Sequence, residues 1–374
     1  MIDPIASIAV ATVRLTLPAP LRLGSGEIAS REYAAVRLTT EAGFVGSAYC
    51  LTREAPVEAC VTRLVAPALV GSDSADPEAA WHRASRATVL VGRVGLVLRA
   101  LGLVDIALWD VAAQRARMPL WQFLSGSPEP VPAMIVAAYP LADRSPESLA
   151  DDVLRHAEAG YRLLKVARDP DPARMRRLLD TVAPGLPTAA GVVVDAAFCW
   201  EAPSAALAEI SGWGGHPLAW LEDPLVPEDV EGYTELRRRA ACPIGVGDEL
   251  SSPASFRALV DARALDVLRL DVVAIGGVTP ARGVMALAAE HGLDISFHIY
   301  PETSIHLAMA AGGIVETFER GIAGGNPLDP SDRLLTGGPA FNAGSAIALT
   351  VPGLGFELDW DLFTSGGVAS GGSS

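Results

Sequence analysis

Six side chains able to do chemistry recur at near-regular intervals in the 374-residue chain: Lys165, Asp195, Glu222, Asp248, Asp271 and His298. Successive spacings are 30, 27, 26, 23 and 27 residues, about one strand–helix unit each. Each lies at the end of a short apolar run: YRLLKVA, GVVVDA, LAWLED, CPIGVGD, LDVLRLD and LDISFH. An Asp after a strand often caps the next helix. Capping accounts for one or two of these residues, but not for Glu, Lys and His in the same phase.

Three consecutive tips are carboxylates, Asp195, Glu222 and Asp248. Anions brought that close repel unless a cation joins them. An all-oxygen set selects Mg²⁺, with Mn²⁺ as the alternative, over zinc. Glu249 competes with Asp248 for the third place, because adjacent strand residues face opposite ways. Asp271 and His298 come from neighbouring strands, and a carboxylate on one imidazole nitrogen raises the basicity of the other. The expected chemistry is removal by His298 of the proton alpha to a substrate carboxylate, with Mg²⁺ and Lys165 stabilising the enediolate. Glu316, in AGGIVETFE, is a candidate neutral or bridging carboxyl, and Tyr139 a candidate substrate contact.

These tips need a scaffold. After Pro130, eight β-rich runs alternate with helical patterns: the six above, preceded by PAMIVAAY and followed by GGIVE. That is enough for a (β/α)8 barrel, whose strand tips converge on one face. Before it, IASIAVATVRLTL, REYAAVRLTT and FVGSAYC read as a strand meander, followed by helical patterns at about 54–70, 77–88 and 93–116. Strands and then helices in one block indicate an α+β domain. LPAPLRLGSGEIAS reads as a Gly/Pro/Ser loop between the first two strands. Together with YCLTREAP it is expected to set specificity, with Arg22 and Glu27 as candidates. GSAIALTVPGLGFELDWDLF reads as strand and turn returning to the first domain. The expected divisions are 1–128, 129–322 (barrel), 323–364 (returning segment) and 365–374 (disordered tail).

The chain is 50% hydrophobic and 20% charged, with a net charge of −15. That balance disfavours nucleic acid. It also means that a site for an anionic small molecule must supply its own positive charge. Four scattered cysteines without a CxxC pair suggest neither a disulfide scaffold nor a zinc ribbon, and fit a reducing cytoplasm. The N-terminal MIDPIASIAVATVRLTL reads as a first strand rather than a signal peptide. Arg93, Arg99, Asp105 and Asp110 interrupt the apolar stretch at 89–112, which reads as an amphipathic helix and not a membrane span.

At this level of detail the chain resembles the mandelate racemase-like branch of the enolase superfamily. LVDIALWDVAAQRARMPLWQFLSG resembles that family's last capping-domain helix. GYRLLKVA, VVVDA, WLEDP, PIGVGDE, DVVAIGGVT and SFHIYPETSIHLA follow in the family's order. The resemblance implies an α/β fold: a modified TIM (β/α) barrel with an N-terminal α+β capping domain completed by the C-terminal segment. It also implies one Mg²⁺ ion per subunit, proton abstraction next to a carboxylate, a small-molecule carboxylate substrate and a homo-oligomer. The chain departs from the pattern where Ala167 replaces the second lysine of Lys-x-Lys, Ala197 the amide of Asp-x-Asn, and Asp248 the usual Glu. Racemisation needs a group on each substrate face, whereas elimination of water needs one base. Dehydration of an acid sugar, an aldonate or aldarate, to a 2-keto-3-deoxy acid is therefore the preferred reading. The alternatives are a racemase or epimerase of a 2-hydroxy or amino acid derivative, and a non-catalytic metabolite-binding protein.

Overall fold

The computed structural model describes residues 2–23, 26–139, 144–216, 218–322, 325–365 and 368–369, the side chains of 22, 23, 26, 368 and 369 excepted. Its first unit is an antiparallel meander of β1 (Ile5–Leu23), β2 (Gly26–Thr40) and β3 (Val45–Leu51). The segment read as a Gly/Pro/Ser loop is mostly strand. Leu21, Arg22 and Leu23 pair with Ile28, Glu27 and Gly26, and a register shift between Thr16 and Leu21 absorbs Pro18 and Pro20. A bulge of this kind lets prolines sit in a ladder they cannot donate to.

The meander lies on the long helix Leu96–Ala116. At Gly46 a Cβ would stand 2.0 Å from the Ala107 carbonyl oxygen, so only glycine allows this approach. The expected amphipathic helix is instead buried on all sides from Val97 to Ala113. Its charged side chains meet protein partners rather than water, although Arg99 Nη1 is buried without an acceptor. Asp105 accepts from the N–H and hydroxyl of Thr279, Asp110 accepts from Ser47 and Leu354 N–H, and Arg99 pairs with Glu249. Among the described residues, no helix is long and apolar enough to cross a membrane.

The eight apolar runs form eight parallel strands: β4 (Val131–Ala138), β5 (Leu163–Ala167), β6 (Gly191–Asp195), β7 (Leu218–Glu222), β8 (Ile244–Val246), β9 (Val267–Leu270), β10 (Asp294–Phe297) and β11 (Ile314–Thr317). Pairing of β11 with β4 closes the barrel. The two-residue strand period sends Leu164, Val166, Val192 and Val194 outward into the main core, and Leu163, Lys165, Val193 and Asp195 into the lumen. The helices begin at their own caps: Ser145, Asp171 and Ser252 accept from the first turn, each followed by Pro. Asp195 is not such a cap, because the next helix starts at Pro203 after Ala202.

Beyond the barrel, Ala340–Asn342 and Ser345–Ile347 form a hairpin that pairs with the start of β4. Gly353 bridges to Pro119, Leu354 N–H donates to Asp110, and the Arg37 guanidinium stacks 4.4 Å from the Trp360 ring centre. Of the expected tail, 366–367 and 370–374 lie outside the described residues. Val368–Ala369 pair with β1.

Candidate active site

Lys165 and Arg269 stand fully buried inside the barrel, on β5 and β9. Two buried cations demand partners, and the inward positions of the neighbouring strands supply them. Lys165 Nζ lies 2.5 Å from Glu222 Oε1, 3.2 Å from Asp195 Oδ2, 3.2 Å from Glu316 Oε2 and 4.0 Å from Asp248 Oδ2. Arg269 Nε lies 2.9 Å from Asp248 Oδ1 and 3.1 Å from Glu222 Oε2. Its two Nη groups reach Glu316 Oε2 at 2.5 Å and Ser296 Oγ at 2.6 Å.

The electrostatics follow from this cage. Burial alone lowers Lys165, but Asp195, Glu222 and Glu316 raise it well above an ordinary lysine. These neighbours favour the ammonium form of Lys165. Burial pushes Glu316 up, yet Lys165 and Arg269 hold it down to about 2, which makes it an ionised, bridging carboxylate rather than a neutral one. Burial, opposed by Arg269 and Lys165, raises Glu222.

At the next level of the lumen, His298 Nδ1 meets Asp271 Oδ2 at 3.0 Å. Asp271 Oδ1 accepts from Val273 and Ala274 N–H at 2.8 Å each, which fixes the carboxylate. This orients the ring with Nδ1 as the donor to Asp271, while Nε2 lies 3.5 Å from Asp248 Oδ2 at the cavity. Burial pulls His298 down, but Asp248 and Asp271 outweigh it and leave it raised. Asp223 accepts from Gly247 N–H at 3.0 Å and Asp248 N–H at 3.4 Å, and so shapes the turn that presents Asp248. Glu249 also lines the cavity but pairs with Arg53 at 2.5 Å and Arg99 at 2.6 Å.

These groups border a cavity of about 330 Å³, lined by Tyr139, Ala167, Asp195, Asp248, His298 and Glu316 from the barrel and by Arg31, Leu51 and Arg53 from the meander. That volume suits a small organic ligand. Five of the eleven described non-glycine residues with positive φ line it: Arg53, Ala197, Phe198, Asp223 and Ile299. Such strain concentrates where side chains are held for function. Arg22 lies in β1 with its side chain outside the described set, and Glu27 is exposed. Arg168 turns outward, bonding Glu209 at 2.6 and 2.7 Å and stacking on Trp200. His306 has both ring nitrogens bonded to backbone, and burial lowers it to about 4, so it is a neutral packing residue.

Sequence reasoning missed Arg269, Arg31 and Asp223. For Arg269 the signal was present, because in LDVLRLD it shares the inward phase of Asp271.

The donors suit a divalent cation. Asp195, Glu222, Asp248 and Glu316 face two permanent cations, an excess of two negative charges. Glu222 Oε1 is buried without a hydrogen-bond donor aligned to it. Oxygen-only donors match a hard ion. The carboxylates are arranged around the lysine ammonium, and among the described residues no three groups yet form a coordination shell.

Comparison with known proteins fits this geometry. Residues 5–125 match the mandelate racemase / muconate lactonizing enzyme N-terminal domain, and 148–362 the enolase C-terminal domain-like family. An L-talarate/galactarate dehydratase of Salmonella typhimurium is 30% identical over 247 residues, 66% of this chain and 62% of that one. This chain thus matches about three-fifths of that enzyme's length. A 3,6-anhydro-alpha-L-galactonate cycloisomerase of Streptomyces coelicolor is 30% identical over 304 residues, covering 78% and 81%. The solved structure of an L-talarate dehydratase from Polaromonas sp. JS666, complexed with Mg and L-glucarate, superposes with TM-score 0.85 at 27% identity over 96% of each chain. With both domains matched and the barrel lumen built as described, this chain belongs to the mandelate racemase / muconate lactonizing enzyme family of the enolase superfamily.

Proposed function

We propose that the protein is a Mg²⁺-dependent acid-sugar dehydratase. The observation that carries this reading is the one-sided placement of bases. The His298–Asp271 pair faces the cavity from one side. The position of a second base holds Ala167, Arg168 is turned away, and Lys165 Nζ is taken up by Glu222, Asp195 and Glu316. Elimination needs one base and racemisation two.

Asp195, Glu222 and Asp248 would hold the metal, with Glu249 paired to Arg53 and to Arg99 of the long helix. Bound there, Mg²⁺ supplies Lewis-acid stabilisation of the negative charge that builds on the substrate carboxylate. The remaining work belongs to the chain. Lys165 presents positive charge to that same carboxylate. His298 Nε2 takes the proton from Cα, and Asp271 stabilises the imidazolium that results. The C–O bond at C3 then breaks, the imidazolium returns its proton to the leaving hydroxide as water, and the enol product tautomerises to the 2-keto-3-deoxy acid.

Incubation with Mg²⁺ and a panel of aldonic and aldaric acids tests the reading. A 2-keto-3-deoxy product is expected with at least one of them, and His298→Asn should lower its rate by about 10²- to 10⁴-fold. Loss of optical purity in a 2-hydroxy acid without dehydration would instead make the protein a racemase. Solvent deuterium exchange that survives His298→Asn would show that another group is the base.

A further inference from the structure

Three cations stand at the cavity, Lys165, Arg53 and Arg31, and the first two are paired with carboxylates of the protein. At the floor, Lys165 is surrounded by carboxylates. At the cap side, Arg53 is ion-paired to Glu249 at 2.5 Å. Arg31 differs from both. Its hydrogen bond is a long one, from Nη2 to the Leu328 carbonyl at 3.4 Å, and its Nε is buried with no acceptor. A buried donor left unmade is costly, and a guanidinium offers its donors as a planar fork.

The neighbouring carboxylate does not quench it. Asp329 shares the cavity, but its Oδ1 accepts from the Tyr33 hydroxyl at 2.6 Å and from Ser331 N–H at 2.9 Å. Tyr33 and Arg31 lie two residues apart on β2, on one face of the strand. This contact therefore braces the loop beside Arg31 and leaves the guanidinium facing inward. Tyr139 lines the same cavity as Arg31.

We infer that Arg31 receives the distal carboxylate of the substrate, so that the protein acts on aldarates, acid sugars with a carboxylate at each end, in preference to aldonates. The inference rests on the dehydratase reading above. A carboxylate accepts two parallel N–H bonds from a guanidinium. The hydroxymethyl end of an aldonate offers a single oxygen and leaves the charge uncompensated. The chain's net charge of −15 sharpens the need, since a dianion enters such a molecule only where local cations wait for it.

The experiment pairs substrates that differ only at that end, galactarate with galactonate and glucarate with gluconate, on the Mg²⁺-loaded wild type, Arg31→Met and Arg31→Lys. Wild type is expected to favour the diacid in kcat/KM. Arg31→Met should cut the diacid value about 10- to 100-fold more than the monoacid value, mostly through KM, and Arg31→Lys should recover part of it. Equal wild-type rates on both members of a pair, or an equal loss on both in Arg31→Met, would overturn the assignment. If no acid sugar is dehydrated, the reaction proposed above fails. Calorimetric titration of the same pairs still decides the role of Arg31, and equal affinity for diacid and monoacid refutes it.

Discussion

Two layers of the barrel lumen, two residues apart on the same strands, are built on opposite chemistry. Leu163, Val193, Trp220, Val267 and Ile314 pack with Met134 as an apolar plug. Two positions onward along those five strands stand Lys165, Asp195, Glu222, Arg269 and Glu316. The backbone that points a side chain inward is the same in both layers. The lower layer gains stability by removing apolar surface from water. The upper layer desolvates charge, and replacing such a network with hydrophobic residues is often neutral or stabilising. Stability therefore does not explain the upper layer. A ligand that needs the charges does.

The sharpest way to break this contrast is to remove one internal cation. Arg269→Met leaves Glu222, Asp248 and Glu316 facing one another without the guanidinium that touches all three. The expected loss is about 3–5 kcal/mol of unfolding free energy in EDTA, with part of it returned by Mg²⁺. Urea midpoints with and without Mg²⁺ measure both. An unchanged midpoint in EDTA would mean that the carboxylates do not depend on Arg269.

The lower layer should respond differently. Met134→Ala removes a fully buried side chain from the plug and should cost about 2–5 kcal/mol through lost burial and a cavity. Mg²⁺ affinity should stay near the wild-type value, because Met134 offers the carboxylates no hydrogen-bond donor and reaches Glu222 only through its packing with Trp220. A parallel loss of metal binding, followed by calorimetry on the folded variant, would show that the two layers are mechanically one.

How far this was legible in the sequence follows from the range of each signal. Strand existence and phase are local. The alternation in GVVVD, and the recurrence of chemical groups at strand ends, therefore located Lys165, Asp195, Glu222, Asp271 and His298 at one barrel end. Partner choice is not local. Glu249 and Asp248 are rivals in the sequence, and only the fold brings Arg53 and Arg99, 196 and 150 positions away, to Glu249. Arg31 stayed hidden because its surroundings, Tyr33 with Asp329 and the Leu328 carbonyl, join segments almost 300 residues apart. The proline- and glycine-rich start misled for another reason. Turn-forming composition was read as a loop, while a register shift between Thr16 and Leu21 kept the ladder going.

The smallest expected effect tests the point where the two layers touch. Trp220 belongs to the apolar plug, yet its indole N–H donates to Glu222 Oε2 at 2.9 Å. Gly245 makes room for the ring, since a Cβ there would come within 2.6 Å of it. Trp220→Phe keeps most of the packing and deletes only the donor. Hydrogen bonds that orient a metal-binding carboxylate from behind typically support the affinity about 10- to 100-fold. Glu222 also has Arg269 at 3.1 Å, so the loss should fall at the lower end, about tenfold in Mg²⁺ affinity. The expected stability change is about 1 kcal/mol, the worth of one hydrogen bond. If Trp220→Phe weakens Mg²⁺ binding while Met134→Ala does not, the plug contributes to the site through that one N–H. If both leave it untouched, Arg269 orients Glu222 without help from the plug.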